Sequence, residues 1–547
     1  MGKKYVPEKI AEKLSDYYQN GWQILFDEGM QMQDDVLLDI ISLDNNSAYA
    51  KDHGFAGIKT KEEFRARVPI SEYSDYRKYI DANMQNDNGQ LTSLETEYYL
   101  LSTGMSNSGK IYAENRLGAQ ARQLTINIWN MMLTQSVPIM TSPDVKMLAV
   151  TAAVNKSAPV EKAANGKAVR RASSQAAKGL WEQHPQVYVY PYEFLEAVMS
   201  EDDRDYLTAL YTLKEKHFNM LFCNNLAYFG VLLDWIAMRP QQMIDDIRNG
   251  YMTAELQDYD RKVLAESFQP DAERADELQK MLDDYGTLPV EKIWPDFEFV
   301  GAWLSGSVGR LAKDVMRRLP KKIRYISESY GASEGMFNLP MEDNCIYAPL
   351  AAYSCYFEFL PLDGGEPVDM AGLKDGSYYE LLITTYSGLY RYNLHDIVRV
   401  HGFTGTTANI EFCCRTADRW ELKQNSIYGY ELEAMMTEAE CQTGQFATYY
   451  QGLIEDEKLS IILQPFHSDF DAAAFYEALQ KQLSSKQIEL EKLYIMKQNY
   501  CLTLYHSLMQ FGRTILTIKL PLRAQTIPDE NLIQQVYKGA SQIIQPV

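Results

Sequence analysis

The sequence predicts an α/β protein in which a large N-terminal domain of mixed sheets and helices precedes a smaller α+β domain. Three observations predict it. Helical periodicities alternate with short apolar runs over roughly 400 residues, the pattern of helices packed on sheets. Past Arg415 the pattern changes to two adjacent apolar runs, a helix, a strand and a final helix within about 130 residues. The 547 residues, 46% of them apolar and 23% charged, suffice for two or three domains around a large core. The large domain is expected over 1–415 and the small one over 426–547.

The elements follow in chain order. Residues 5–29 read as one helix, because Ile10, Leu14, Tyr17, Tyr18, Trp22, Leu25 and Phe26 share a face. Thr60-Lys61-Glu62-Glu63 is a capping box, and its short helix stops at Val68-Pro69. Glu97-Tyr98-Tyr99 reads as a strand feeding a glycine- and hydroxyl-rich loop. Helical spacing over 117–133 and a buried strand over 146–151 come next. In 155–180, Lys156, Lys162, Lys167, Arg170, Arg171 and Lys178 face only Glu161. That stretch reads either as a solvated loop or as a basic flap over a polyphosphate.

Residues 203–285 read as mostly helical, with Asn249-Gly250 as a stop signal. Within them, 220–238 is the most apolar window, and Asn224, Asn225 and Asp234 make it a buried helix and not a membrane span. Short strands are expected at 297–300, 323–327, 353–360, 378–384 and 397–400. In the small unit, 446–454 and 459–463 form a hairpin around Glu455-Asp456-Glu457-Lys458. A helix near 471–483, a strand at 493–497 and a helix near 530–540 complete it.

Composition narrows the function. The net charge of -21 argues against nucleic acid or an anionic membrane as partner, both of which need basic surface. The first residues, Met1-Gly2-Lys3-Lys4-Tyr5, lead into an amphipathic helix and not an apolar signal segment, and the seven cysteines have no regular spacing. Both suit a reducing cytoplasm. Cys413-Cys414 sit in an apolar run and read as strand packing, and the seven histidines form no ligand-spaced cluster.

The chemistry centres on Leu100-Leu101-Ser102-Thr103-Gly104-Met105-Ser106-Asn107-Ser108-Gly109-Lys110. Glycines let backbone wrap an anion, hydroxyls and N–H groups donate to it, and lysine adds charge, so a phosphate chain is the natural ligand. Gly104 to Lys110 fits G-x-x-x-x-G-K, but Ile111 stands where a P-loop needs Ser or Thr. A candidate for the acidic run that accompanies a P-loop, Val231-Leu232-Leu233-Asp234, reads as helix and not strand. A second stretch, Tyr330-Gly331-Ala332-Ser333-Glu334-Gly335, follows a strand and offers an adenine edge plus one carboxylate for Mg²⁺ or ribose. A third, Tyr390 to Val400, holds Asp396 before an apolar run, where a carboxylate can take both ribose hydroxyls. His395 reads as a base or as a packing residue.

In this order the three stretches resemble the adenylate-forming superfamily, and look most like its auxin-responsive-promoter branch, the Gretchen Hagen family of acyl-acid amido synthetases. The family's S-S-G-T-S and following lysine match Ser102-Thr103-Gly104-Met105-Ser106 and Lys110. Its Y-x-x-S-E-G matches Tyr330 to Gly335, and its Y-R-Y-R-L-G-D-V-V-x-V matches Tyr390 to Val400. Ile293-Trp294-Pro295, Phe64 to Ile70, Tyr76 to Ile80 and Lys519-Leu520-Pro521-Leu522-Arg523 extend the likeness over nearly the whole chain. Met105 replaces a hydroxyl, Asn393 an arginine and His395 a glycine, and Leu522 separates Pro521 from Arg523. This divergence points to a distant, bacterial member.

The resemblance implies an ATP-dependent ligase that activates a carboxylic acid as acyl-AMP and transfers it to an amino acid amine. It implies that Ser102, Thr103, Gly104, Ser106 and Lys110 hold phosphates. Tyr330, Gly331, Ala332 and Ser333 would bracket adenine, Glu334 would help hold Mg²⁺, and Asp396 and Arg415 would meet the ribose. Lys519 would be carried to the α-phosphate by a mobile C-terminal domain turning on a hinge at 416–425, with Lys423 acting on one side of that swing. Met336, Phe337 and Trp129 are the candidate acyl-pocket residues, each equally readable as core. Two other readings stay open: an acyl-CoA ligase sharing the first half-reaction, and a catalytically silent nucleotide-binding protein. The acid, the amine and the oligomeric state stay open too.

Overall fold

Four short apolar runs stack side by side in a computed structural model that describes residues 3–85, 89–102, 109–150, 162–170, 181, 184–198, 201–250, 253, 258–497, 500–501, 504, 522–524 and 539–545. They are Met147–Val150, Met220–Cys223, Phe299–Ala302 and Arg324–Ser327, in that order, and every pairing is parallel. Helices cover such sheets on both faces, so the strands need no polar alternation. Here the helices include Glu201–Lys214, Ala227–Met238 and Gly306–Arg318.

The apolar window at 220–238 is therefore a strand and then a helix, not one helix. Met220 to Cys223 pair on both sides, and Asn225 ends the run, its Oδ1 accepting from the Ala227 N–H at 3.2 Å. The expected single helix at 5–29 is likewise broken into Val6–Glu12, Leu14–Asn20 and Gln23–Asp27 before Gly29–Asp44 begins. Gly21, at φ 98°, turns the chain where no side-chain-bearing residue would do so easily.

A second, antiparallel sheet has the order Ala348–Pro349, Thr407–Arg415, Tyr392–Thr404, Tyr378–Thr385 and Cys355–Pro361. The expected strand at 397–400 belongs to a longer one, and Thr407–Arg415 carries Cys413 and Cys414, both free thiols. A smaller sheet joins Thr96–Leu101 to Ile111–Asn115 and to Val169–Arg170. The glycine-rich loop is thus the connection of an antiparallel pair. Of the basic stretch, Lys167 pairs with Glu95 at 2.6 Å and Arg170 lies over the Tyr98 ring, while Lys156, Arg171 and Lys178 lie outside the described residues.

The C-terminal unit has its own sheet, Ala447–Glu455, Lys458–Pro465, Leu490–Ile495 and Gln542–Ile544, with the helices Gly429–Thr443 and Ala472–Ser484. Its core gathers Trp420, Leu432, Met436, Phe475 and Leu479. The helix expected near 530–540 falls almost wholly outside the described residues. Arg310 on Gly306–Arg318 ties the large unit to the small one, reaching Glu433 at 2.9 Å and Glu440 at 2.6 Å on Gly429–Thr443. Among the described residues no helix is long and apolar enough to cross a membrane.

Candidate nucleotide site

Three stretches far apart in sequence meet here. The glycine-rich loop closes at its neck: the Ser102 N–H donates to the Lys110 carbonyl at 2.8 Å, and the Lys110 N–H to Ser102 Oγ at 3.1 Å. Thr103, Gly104, Met105 and Ser106 lie outside the described residues. Lys110 Nζ donates to the Tyr392 hydroxyl at 3.0 Å and sits 5.5 Å from the Tyr73 ring centre. The first stretch is thereby anchored to the third.

The second stretch is a two-residue hairpin, Gly331–Ala332 pairing with Gly335–Met336. Tyr330 enters it with its N–H on Asn338 Oδ1 at 2.7 Å and its ring against Phe337 and Phe412. The Tyr330 hydroxyl donates to Asp396 Oδ2 at 2.6 Å. Burial, and then the Asp396 charge, hold that phenol well above its ordinary range. Tyr330 thereby joins the second stretch to the third.

Asp396 is 3% exposed. Glu380 faces Ile397 while Leu382 faces Asn393, so a bulge holds Leu394, His395 and Asp396. Such a bulge re-aims side chains. His395 takes φ 58°, the left-handed region where the resembling motif carries glycine. The Asn393 side chain supports this turn, its Oδ1 accepting from the His395 N–H at 2.8 Å and its Nδ2 donating to Glu380 at 2.8 Å. His395 Nε2 meets Glu72 at 2.7 Å. Two departures from the motif therefore fit each other.

Arg415 faces Asp396 across the strands, 3.4 Å from Oδ1, and the Asp396 charge raises its guanidinium further. Asp396 Oδ1 is buried without a hydrogen bond among the described residues. A hydroxyl donor such as a ribose would satisfy it. Glu334 accepts from the Tyr112 hydroxyl at 2.6 Å. No group of three or more His, Cys, Asp or Glu among the described residues could hold a metal ion. A lone carboxylate suits Mg²⁺ that is held mainly by phosphates and water.

Other named residues are placed differently. Met336 lines a small crevice with Glu334, Arg122 and Ser387, whereas Phe337 is fully buried in the core beneath the hairpin. Trp129, on the helix Arg116–Ser136, donates to the Pro340 carbonyl at 3.1 Å and packs edge-on to Phe222. Lys423 is exposed between the paired strands Arg419–Glu421 and Ser426–Tyr428, and Lys519 lies outside the described residues. Arg65 and Arg391 flank the buried Glu358 at 2.9 and 3.0 Å, which gives the Phe64–Ile70 signature a structural task.

Sequence reasoning missed Tyr112, Glu114 and Arg122. Arg122 donates to the Ala332 and Ser333 carbonyls at 3.1 and 2.7 Å and pairs with Glu114 at 3.2 Å. The one available signal was the alternation of Tyr112 and Glu114, which places both on one side of a strand that starts just after Lys110.

Known proteins resemble the chain over most of its length. The GH3 family N-terminal domain matches residues 25–321, and the GH3 family central domain matches 348–415. The chain is 22% identical over 431 residues to the jasmonoyl–L-amino acid synthetase GH3.5 of Oryza sativa subsp. japonica, covering 72% of each. It is 23% identical over 443 residues to the indole-3-acetic acid-amido synthetase GH3.3 of Arabidopsis thaliana, covering 76% of this chain and 72% of that one. The solved AtGH3.15 acyl acid amido synthetase, in complex with 2,4-DB, superposes with a TM-score of 0.80 at 17% identity, over 100% of this chain and 99% of that chain.

Proposed function

The chain belongs to the GH3 family, and from that premise we propose that it joins a small carboxylic acid to an amino acid through an acyl adenylate. It is an adenylate-forming ligase. A carboxylate does not react with an amine at neutral pH, because oxide is a poor leaving group. Its oxygen attacks the α-phosphorus of ATP, pyrophosphate leaves, and the resulting acyl-AMP carries a good leaving group. The amine then attacks the acyl carbon, the C–O bond to AMP breaks, and an amide forms as the amine loses a proton.

The protein's part is positioning and charge neutralisation. In our reading Ser102, Thr103, Gly104, Ser106 and Lys110 hold the phosphates, and Tyr330 to Ser333 bracket the adenine. Asp396 and Arg415 take the ribose. Mg²⁺, when bound, would neutralise phosphate charge beside Glu334. The 1–415 domain would bind ATP and the acid, with Met336 and Trp129 beside the acyl group. The 416–425 hinge would let the C-terminal domain bring Lys519 to the α-phosphate and move Lys423 past the site. The relatives' acids, jasmonate and indole-3-acetate by name, make a small organic acid the substrate class to screen.

The observation that carries this reading is the buried Asp396 carboxylate, held by Tyr330 and Arg415 with one oxygen left for a ribose hydroxyl. The test is product identity. Full-length protein with ATP, Mg²⁺, a carboxylic acid panel and pooled amino acids is expected to yield an acyl-amino acid and AMP. A thioester formed with coenzyme A in preference to any amide would overturn the amidation step.

A further inference from the structure

We propose that Tyr112 and Arg122 are positioning residues for the nucleotide, fixing the 331–335 hairpin and its Glu334 carboxylate in the pose that receives ATP. The inference rests on the functional reading above, and names residues that no motif contains.

Tyr112 and Glu114 alternate along the strand Ile111–Asn115 and so face one way, with Lys110 just ahead of its first residue. Tyr112 is 4% exposed, and its hydroxyl lies 2.6 Å from Glu334 Oε1 and 3.2 Å from the Tyr392 hydroxyl. Lys110 Nζ lies 3.0 Å from that same Tyr392 hydroxyl. A lysine has only donors and a carboxylate only acceptors, which orders the chain. Lys110 donates to Tyr392, Tyr392 to Tyr112, and Tyr112 to Glu334. Each hydroxyl uses its single proton, and the polarised chain runs from a cation to an anion across all three motif stretches.

Arg122 acts on the backbone of the same hairpin. One nitrogen meets the Ala332 carbonyl, and the other meets the Ser333 carbonyl and Glu114. Glu114 is steadied in turn by the Ser387 hydroxyl at 2.6 Å. Planar trans peptides then aim the Ser333 and Glu334 N–H groups away from the guanidinium. Packing is tight where Glu114 meets the helix, since a Cβ on Gly118 would stand 1.8 Å from Ser387 Oγ and 2.2 Å from Glu114 Oε1. The pair therefore sets both the carboxylate and the backbone donors of the hairpin before ATP arrives.

The test uses full-length protein, Tyr112→Phe, Arg122→Lys and a control, Tyr79→Phe. Tyr79 is as buried as Tyr112, and its hydroxyl bonds Asp52 at 2.5 Å. Calorimetry with ATP and Mg²⁺ should give a Kd about tenfold weaker for Tyr112→Phe and Arg122→Lys, as expected for losing a hydrogen bond to a charged group. Their KM for ATP should rise with KM for the acid unchanged, and Tyr79→Phe should match the wild type in both. Wild-type Kd and KM for ATP in both variants would overturn the proposal. So would losses no larger than that of Tyr79→Phe. If Tyr112→Phe does not fold, Arg122→Lys decides. A wild-type protein that binds no ATP would overturn the functional reading itself, an outcome distinct from equal binding by wild type and variants.

Discussion

At the scale of single residues, His395 shows how a departure from a motif is accommodated. Its φ of 58° is unfavourable for a side chain and free for glycine. His395→Gly should therefore melt higher than His395→Ala, by about 1 kcal/mol of stability, with acid-dependent ATP turnover kept in both. Equal melting would show that the strain is absent. Glu328 offers a pH test just ahead of the hairpin. Burial lifts its carboxyl to about 8. The folded state thus binds this proton more tightly than the unfolded chain. Its stabilising contribution is full below the ordinary glutamate range, near pH 4, and is lost as pH rises through about 8. Glu328→Gln should melt closer to its acid-side value at alkaline pH than the wild type does, and parallel melting curves across that window would contradict this. Residues named from motifs, such as Asp396 and Tyr330, were legible because their chemistry stands in a recognisable local string. Tyr112 and Arg122 were not, because a tyrosine in a strand and an arginine in a helix look alike whether they face water or a hairpin 200-odd residues away in the chain (Tyr112 to Glu334 spans 222).

At the scale of elements, the same apolar run can be strand or helix, and its neighbours decide. From sequence, Met220–Cys223 reads as the start of a helix, because apolar content alone does not distinguish the two. What settles it is pairing with Met147–Val150 and Phe299–Ala302, strands about 70 to 80 residues distant in sequence. The long strand Tyr392–Thr404 was legible only in its middle, because its bulge interrupts the alternation near His395. The cap at Thr60 was legible, but only half of the expected capping box forms: Thr60 Oγ1 accepts from the Glu63 N–H at 3.2 Å, while the Glu63 carboxylate accepts from the Lys59 N–H at 2.7 Å and not from Thr60. Between elements, Arg310 is the clearest energetic commitment. Its buried guanidinium meets Glu433, Glu440 and the Ala447 carbonyl. Arg310→Ala leaves the buried Glu440 without its counter-charge, with only the Ala447 N–H donating to it, and should cost about 3–5 kcal/mol by denaturant unfolding. A loss below about 1 kcal/mol would mean that the two units are held by their other contacts, among them Thr448 to Asp314 at 2.9 Å.

At the scale of the whole molecule, the glycine-rich loop, the Tyr330–Gly335 hairpin and the Tyr390–Val400 stretch lie at three places in the chain and close on one another. Lys110–Tyr392, Tyr112–Glu334 and Tyr330–Asp396 are the contacts that close them. The order of the motifs was readable from the sequence, but their meeting was not, because it depends on two sheets and the helix between them. The central claim is that this meeting point makes an acyl adenylate. Carboxylate-dependent exchange of labelled pyrophosphate into ATP, without any amine present, tests it most directly. Wild-type protein should support exchange with at least one acid of a broad panel, and Asp396→Ala should lose at least about tenfold of it. Exchange that no carboxylic acid stimulates, or that Asp396→Ala leaves intact, would contradict the account.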